Sequence, residues 1–225
     1  TVITSTNKPG YMQNIFENYD RQNYAPKEMI VILNNNSLDL DDWKARAVLS
    51  SDVQVVQIDE REPLGRCLNS GIKNSKYSYI TKMDDDNYYS PEFLTDLMNA
   101  YQFTNADIVG KLSYYVYLEG CRTLILMCPG MENRYVNFVS GSALIMKRKI
   151  FDDIKFSDVP TGSDSVFLNA CVRKGITIYS TDRFNYVYRR RALKKDHTCQ
   201  VSDQVYLQSC QYVGQMANPE SFVTV

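Results

Sequence analysis

Tyr79-Ile80-Thr81-Lys82-Met83-Asp84-Asp85-Asp86-Asn87-Tyr88-Tyr89-Ser90-Pro91 joins a β-prone run to three adjacent carboxylates and then to a helix-start signal. Tyr77 to Met83 reads as a strand. Ser90 suits a helix N-cap and Pro91 a first helical position. Phe93, Leu94, Leu97, Met98 and Tyr101 then recur at helical spacing. A strand that ends in acid and leads into a helix is a βα unit, and in an open parallel sheet ligands gather at the carboxyl ends of the strands.

Upstream of this stretch the pattern repeats. Val2 to Ser5 is a short apolar strand, Lys8-Pro9-Gly10 a turn, and Tyr11, Met12, Ile15, Phe16 and Tyr19 form one apolar helical stripe. Met29 to Leu33 is a continuous β-prone run, as in a strand covered on both faces. It stops in the turn formers Asn34-Asn35-Asn36-Ser37. Trp43, Ala47 and Val48 suggest a helix, Val53 to Val56 a third strand, and Leu64, Leu68 and Ile72 another helix. The expected fold class is therefore α/β, with a mostly parallel central sheet flanked by helices. Downstream, strands at Ile108-Val109, Tyr114 to Tyr117, Thr123 to Met127 and Ser142 to Met146 lack helical stripes between them, which implies mixed or antiparallel pairing. A helix over Ser165 to Arg173, strands at Ile176 to Ser180 and Tyr186 to Arg189, and a last helix from Ser202 to Met216 complete the reading. One domain with a first half to about residue 106 and a second from about 107 fits a chain of 225 residues. The chain opens without Met, which allows for a piece of a longer protein.

The composition narrows the function classes. Apolar residues make up 44% and charged residues 23%, so the chain is globular rather than disordered. A net charge of −1 argues against a general nucleic-acid binder. No apolar run approaches the ~20 residues of a membrane helix. Six cysteines without a C-x-x-C pair read as reduced, mostly buried thiols, and a cytoplasmic location follows as the default. Seventeen Tyr against one Trp and one His suit either a core rich in Tyr or a polar ring-shaped ligand, with the core favoured.

The acidic trio carries the chemistry. Two carboxylates ~4 Å apart repel by about 4 kcal/mol at an effective dielectric near 20. A hard divalent cation with oxygen ligands would compensate, and in an extended segment Asp84 and Asp86 share a face. The competing reading is a solvated acidic turn. Asp164, in Gly162-Ser163-Asp164-Ser165, sits at a helix start, where a carboxylate serves either as a cap or as a general base. His197 follows the basic run Arg189-Arg190-Arg191-Ala192-Leu193-Lys194-Lys195. If that run is a loop, its cations could close over a diphosphate.

In this order, the pieces resemble a family-2 glycosyltransferase of the GT-A fold over nearly the whole chain. Val2 to Lys8 is similar to the family's opening strand and polar turn. Ile32 to Ser37 stands in the place of its apolar-Asp-Asp-x-Ser segment, and Arg66 to Ile72 resembles its Arg-Asn-x-Gly-Ile helix start. Tyr79 to Pro91 resembles the Asp-x-Asp metal motif. Ser140-Gly141-Ser142-Ala143 resembles the strand beside the acceptor, and Gly162-Ser163-Asp164 the Glu-Asp before a helix. The nearest flavour is bacterial cell-surface or spore-coat polysaccharide transferases, a spore-maturation glycosyltransferase included. The resemblance implies a nucleotide site at Thr4, Ser5, Asn7, Asn34, Asn35, Arg66 and Asn69, with Asp84 and Asp85. It implies Mn²⁺ or Mg²⁺ on Asp84, Asp86 and His197, a diphosphate loop at Arg190, Arg191 and Lys194, and Asp164 as the base of an inverting transfer.

The implied partners are a nucleotide-sugar donor and a hydroxyl of a glycan or other acceptor, with a homodimer allowed for. Asn34 and Asn35 replace acidic residues of the family pattern. An amide both donates and accepts, so cytidine joins uridine and thymidine as a candidate base. Ser163 replaces the usual Glu. Two rivals stand beside this reading. A sugar nucleotidyltransferase would need a Gly-rich opening loop that Ser5-Thr6-Asn7-Lys8-Pro9-Gly10 lacks. A non-catalytic binding protein of the same fold would accommodate the Asn and Ser replacements.

Overall fold

Alternation inside the first strands sets the layers. A computed structural model describes residues 1–192 and 201–225. The strands are β1 (Val2–Thr6), β2 (Met29–Leu33), β3 (Val53–Gln57), β4 (Tyr79–Lys82), β5 (Tyr88–Tyr89), β6 (Ile108–Gly110), β7 (Tyr114–Leu118), β8 (Thr123–Met127), β9 (Arg134–Val136), β10 (Leu144–Lys147), β11 (Ile178–Ser180), β12 (Tyr186–Arg190) and β13 (Gln211–Gln215). The helices are α1 (Met12–Asp20), α2 (Leu40–Ala47), α3 (Leu64–Asn74), α4 (Phe93–Ala100), α5 (Ser163–Arg173), α6 (Asp203–Ser209) and α7 (Glu220–Val223).

An eight-stranded sheet runs β3-β2-β1-β4-β10-β6-β11-β9. Its first four strands are parallel; β10 is antiparallel to both β4 and β6. The expected α/β class, parallel first half and mixed second half are all found. Val2, Met29, Val31 and Leu33 point to one face, where they pack with Ile15 and Phe16 of α1, Trp43 of α2 and Phe93 and Leu97 of α4. Ile3, Ile30 and Ile32 point to the other, against Leu68 and Ile72 of α3 and Phe167 and Leu168 of α5. Side-chain period two therefore covers both faces. A second sheet, β13-β8-β7-β12-β5, begins with the two-residue β5 just past the acidic trio. Tyr19, Tyr89 and Tyr186 are fully buried, so much of the Tyr excess is core.

Three local expectations are corrected. The helix over Ser202 to Met216 ends at Ser209, and Gln211–Gln215 instead forms β13, antiparallel to β8 with an irregularity between Tyr212 and Gly214. Tyr212-Val213 is β-prone, Gly214 is a poor helix former, and the exposed ladder of β8 supplies partners that a local period cannot reveal. Ser90 does not cap α4: its hydroxyl donates to Asn185 Oδ1 (2.5 Å), and the helix starts at Phe93 without a side-chain cap. Val48 lies off the buried stripe, 83% exposed after the end of α2. Among the described residues, no helix is long and apolar enough to cross a membrane.

Candidate active site

The carboxyl ends of β1, β2 and β4 lie side by side, so their loops meet. Thr6 donates to Asp85 Oδ2 (2.6 Å), and Asn35 Nδ2 donates to the Asn7 carbonyl (2.8 Å). Asn34 Nδ2 donates to the Asp59 carbonyl (2.8 Å), tying β2 to the loop after β3. From α1, Asn14 donates to the Asp85 and Asn87 carbonyls and Asn18 to the latter. On the other side, the Asp84 amide donates to the Tyr89 hydroxyl (2.8 Å), which donates to the Ser142 carbonyl (2.8 Å). Asn87, fully buried, accepts from the Arg189 amide (3.0 Å). The turn bearing the trio is thus clamped by α1, β12 and the 140–143 segment, and a rigid backbone holds its charges together.

The three carboxylates differ. Asp85 is engaged by Thr6, although burial still pushes its proton affinity up. Asp84 Oδ1 accepts from Lys82 Nζ (2.6 Å). Asp86 has no hydrogen bond to its carboxylate among the described residues. Burial, then the charges of Asp84 and Asp85, push it up to about 7 against the weaker pull of Arg191 and Lys8. A partly buried carboxylate in that state is a site that a cation would stabilise. Among the described residues, no group of three or more His, Cys, Asp or Glu side chains is arranged to hold a metal ion.

Asp164 lies in the first turn of α5, after Gly162 in the left-handed conformation. Its Oδ2 is 3.2 Å from Lys82 Nζ, so one ammonium joins the trio's first carboxylate to Asp164. Burial raises the Asp164 proton affinity and Lys82 opposes that rise. For Lys82, burial alone would lower the proton affinity, but Asp164 and Asp84 more than reverse it, so the ammonium stays charged. Lys82 is not among the residues that the family resemblance marks. The available signal was a Lys within an otherwise apolar strand, which is seldom buried without a partner.

The remaining candidates divide. Ser5, half-buried, lies near the end of β1; Asn7, exposed, follows it beside the half-buried Asn34 and Asn35. Arg191 reaches the Asp86 carbonyl (3.4 Å), pairs with Glu119 (2.7 Å) and lies over the Tyr11 ring. A cavity of about 460 Å³ lined by Gly10, Tyr11, Gln13, Asn14, Glu17 and Arg191 opens beside it.

Three of the implied residues are engaged within the fold. Thr4 is only 2% exposed in the middle of β1. Asn69 spends its amide on the Phe156 backbone, donating to the carbonyl (2.9 Å) and accepting from the amide (3.1 Å). Arg190 is on β12 rather than in a loop, and is buried against Asp203 (3.0 Å), the Val201 carbonyl (2.6 Å) and the Tyr206 ring. Arg66 is ion-paired with Asp158 (2.7 Å) and Glu62 (3.0 Å). Together with Asn69 it ties α3 to the segment that leads into α5. His197 and Lys194 lie outside the described residues.

No curated protein matches the sequence. Among solved structures, S. aureus TarS in complex with UDP-GlcNAc superposes with a TM-score of 0.65 at 17% identity, covering 92% of this chain and 63% of that one. The mannosyltransferase PcManGT from Pyrobaculum calidifontis, in complex with GDP-Man and Mn²⁺, gives 0.61 at 15% identity, covering 84% and 55%. The chain thus spans about three fifths of the length of these structures and shares their GT-A fold. Residues 1–154, well over half the chain, match the family described as glycosyl transferase family 2, and the chain belongs to that family.

Proposed function

We propose that the chain is an inverting, metal-dependent glycosyltransferase. It would move a sugar from a UDP, dTDP or CDP donor to a hydroxyl of a cell-surface or spore-coat glycan or other acceptor. The observation that carries this reading is Asp86, a partly buried carboxylate beside two others with no hydrogen bond among the described residues. The neighbours' complexes with UDP-GlcNAc and with GDP-Man and Mn²⁺ support the donor class and the use of a divalent ion.

The nucleotide lies across the ends of β1 and β2, where Ser5, Asn7, Asn34 and Asn35 offer hydroxyl and amide groups to the base and ribose. Asp86, with Asp84, would hold Mn²⁺ or Mg²⁺. When bound, the ion supplies charge neutralisation for the departing diphosphate. Arg191 adds positive charge on the same side of the trio. Asp164 takes the proton of the acceptor hydroxyl as that oxygen attacks C1 from the face opposite the diphosphate. The new C1–O bond forms, the C1–O(phosphate) bond breaks with its electron pair going to the nucleoside diphosphate, and the configuration inverts. A base so placed is worth about 10²–10⁴ in rate.

The test is release of nucleoside diphosphate from UDP-GlcNAc, UDP-glucose, dTDP-glucose, CDP-glucose and GDP-mannose, with and without Mn²⁺, backed by calorimetry with the free nucleotides. Metal-dependent release that disappears in Asp86→Ala is expected. No binding of any nucleotide with Mn²⁺ would leave the non-catalytic reading. Pyrophosphate release from a nucleoside triphosphate and a sugar phosphate would replace the transferase with a nucleotidyltransferase.

A further inference from the structure

Lys82 closes β4 with its side chain only 7% exposed, and its ammonium stands between two carboxylates from distant parts of the chain, Asp84 Oδ1 at 2.6 Å and Asp164 Oδ2 at 3.2 Å. A buried ammonium is tolerated only when paired. Pairing with Asp84 alone would meet that need, so the reach to Asp164 asks for a separate explanation.

A second observation supplies it from the opposite side of Asp164. A Cβ on Gly141 would collide with Cβ, Cγ and Oδ2 of Asp164. The Gly141 backbone is not in the left-handed region, so it is the Asp164 side chain, rather than backbone conformation, that requires glycine here. Gly141 belongs to the segment whose Ser142 carbonyl accepts from Tyr89, the residue that also holds the Asp84 amide. Asp164 therefore has Lys82 on Oδ2 and the bare Cα of Gly141 against its side chain. Its Oδ1 is occluded and lacks a hydrogen-bond partner among the described residues.

We propose that Lys82 and Gly141 are positioning residues for Asp164: the ammonium anchors Oδ2, and the absent side chain of Gly141 leaves room for the carboxylate. The proposal rests on Asp164 being the base of the transfer described above. It makes the strand that ends in the trio also the strand that orients the base, so the donor and acceptor sides of the reaction share one ammonium.

The experiment compares wild type, Lys82→Met, Gly141→Ala and each change combined with Asp164→Asn. It measures kcat and KM for the donor that wild type turns over among those named above, and UDP–Mn²⁺ affinity by calorimetry. Misplacement of a catalytic group by an ångström costs on the order of 100-fold. Each single variant is therefore expected to lose ~100-fold in kcat, with donor KM and UDP affinity changed by less than about threefold. In the Asp164→Asn background neither change should cost anything further. If Lys82→Met weakens UDP–Mn²⁺ binding as much as it slows turnover, Lys82 serves Asp84 and the proposal is overturned. Losses that multiply with that of Asp164→Asn overturn it as well.

Gly141→Ala leaves the buried charges in place, so it carries the test if Lys82→Met does not fold. A crystal structure of Gly141→Ala reads the geometry without turnover. Asp164 displaced from Lys82 is expected, and an unmoved carboxylate overturns the clamp. Wild-type protein that neither binds a nucleotide nor turns over any donor would instead overturn the glycosyltransferase reading, and the base role of Asp164 with it.

Discussion

Replacing Asp86 by Asn should stabilise the metal-free protein, by a margin that depends on pH. In the folded chain burial, then Asp84 and Asp85, raise the Asp86 carboxyl from 3.8 to about 7. The unfolded chain gives up this proton near 3.8, the folded chain only near 7. Between those values the unfolded state binds fewer protons, so rising pH favours unfolding. The stability tied to this proton is fully present below 3.8 and gone above about 7. A rise of that size corresponds to ~4 kcal/mol at about 1.4 kcal/mol per pH unit. Relaxation and water around a partly exposed group reduce this to roughly 2 kcal/mol. For a chain of this length ~2 kcal/mol is about 4–8 °C in Tm.

The assay is thermal melting of wild type and Asp86→Asn in EDTA across pH 4.5–8.5 (about the span in which carboxyls with raised values titrate). Asp86→Asn should gain on wild type as pH rises toward 7 and hold a constant lead above it. Saturating Mn²⁺ with UDP should then raise the wild-type Tm and leave Asp86→Asn unmoved. A margin that does not vary with pH, or a variant less stable than wild type at pH 8, would show that the buried Asp86 charge does not destabilise the fold.

Other variants test the remaining assignments. Asp164→Asn should keep UDP–Mn²⁺ affinity and lose about 10²–10⁴ in kcat, read by steady-state kinetics. Asn69→Ala removes both bonds to Phe156, and should cost about 1–3 kcal/mol in urea unfolding while leaving nucleotide affinity intact. Arg190→Met should cost roughly 1–2 kcal/mol, because Asp203 keeps 37% of its exposure, and should not alter UDP affinity. A loss of UDP binding there would return Arg190 to the diphosphate site.

The layers were legible because they follow from local periods. The alternation within β1 and β2 and the helical stripes of α1 and α3 each point to one sheet face, and the packing agrees. Placing the trio at the end of a strand needed only the β-prone run before it. What escaped depends on partners far along the chain. Gln211–Gln215 becomes a strand because β8 offers an open ladder, and Arg190 is withdrawn into the fold because α6 provides Asp203 and Tyr206. Asn69 matched a family motif, yet its amide is satisfied by a backbone 87 residues away. Lys82 was legible in principle. A cation closing a buried strand needs an anion, and Asp84, two residues on, supplies one. Only the fold brings Asp164 to its other side.

In the proposed reaction Asp86 holds a divalent cation beneath the diphosphate of a nucleotide. Anomalous diffraction from crystals grown with MnCl₂ and UDP measures this directly. A manganese peak in contact with the Asp86 carboxylate and with phosphate oxygens of UDP is expected; UDP bound without manganese at Asp86, or manganese bound elsewhere, would remove Asp86 from the metal site.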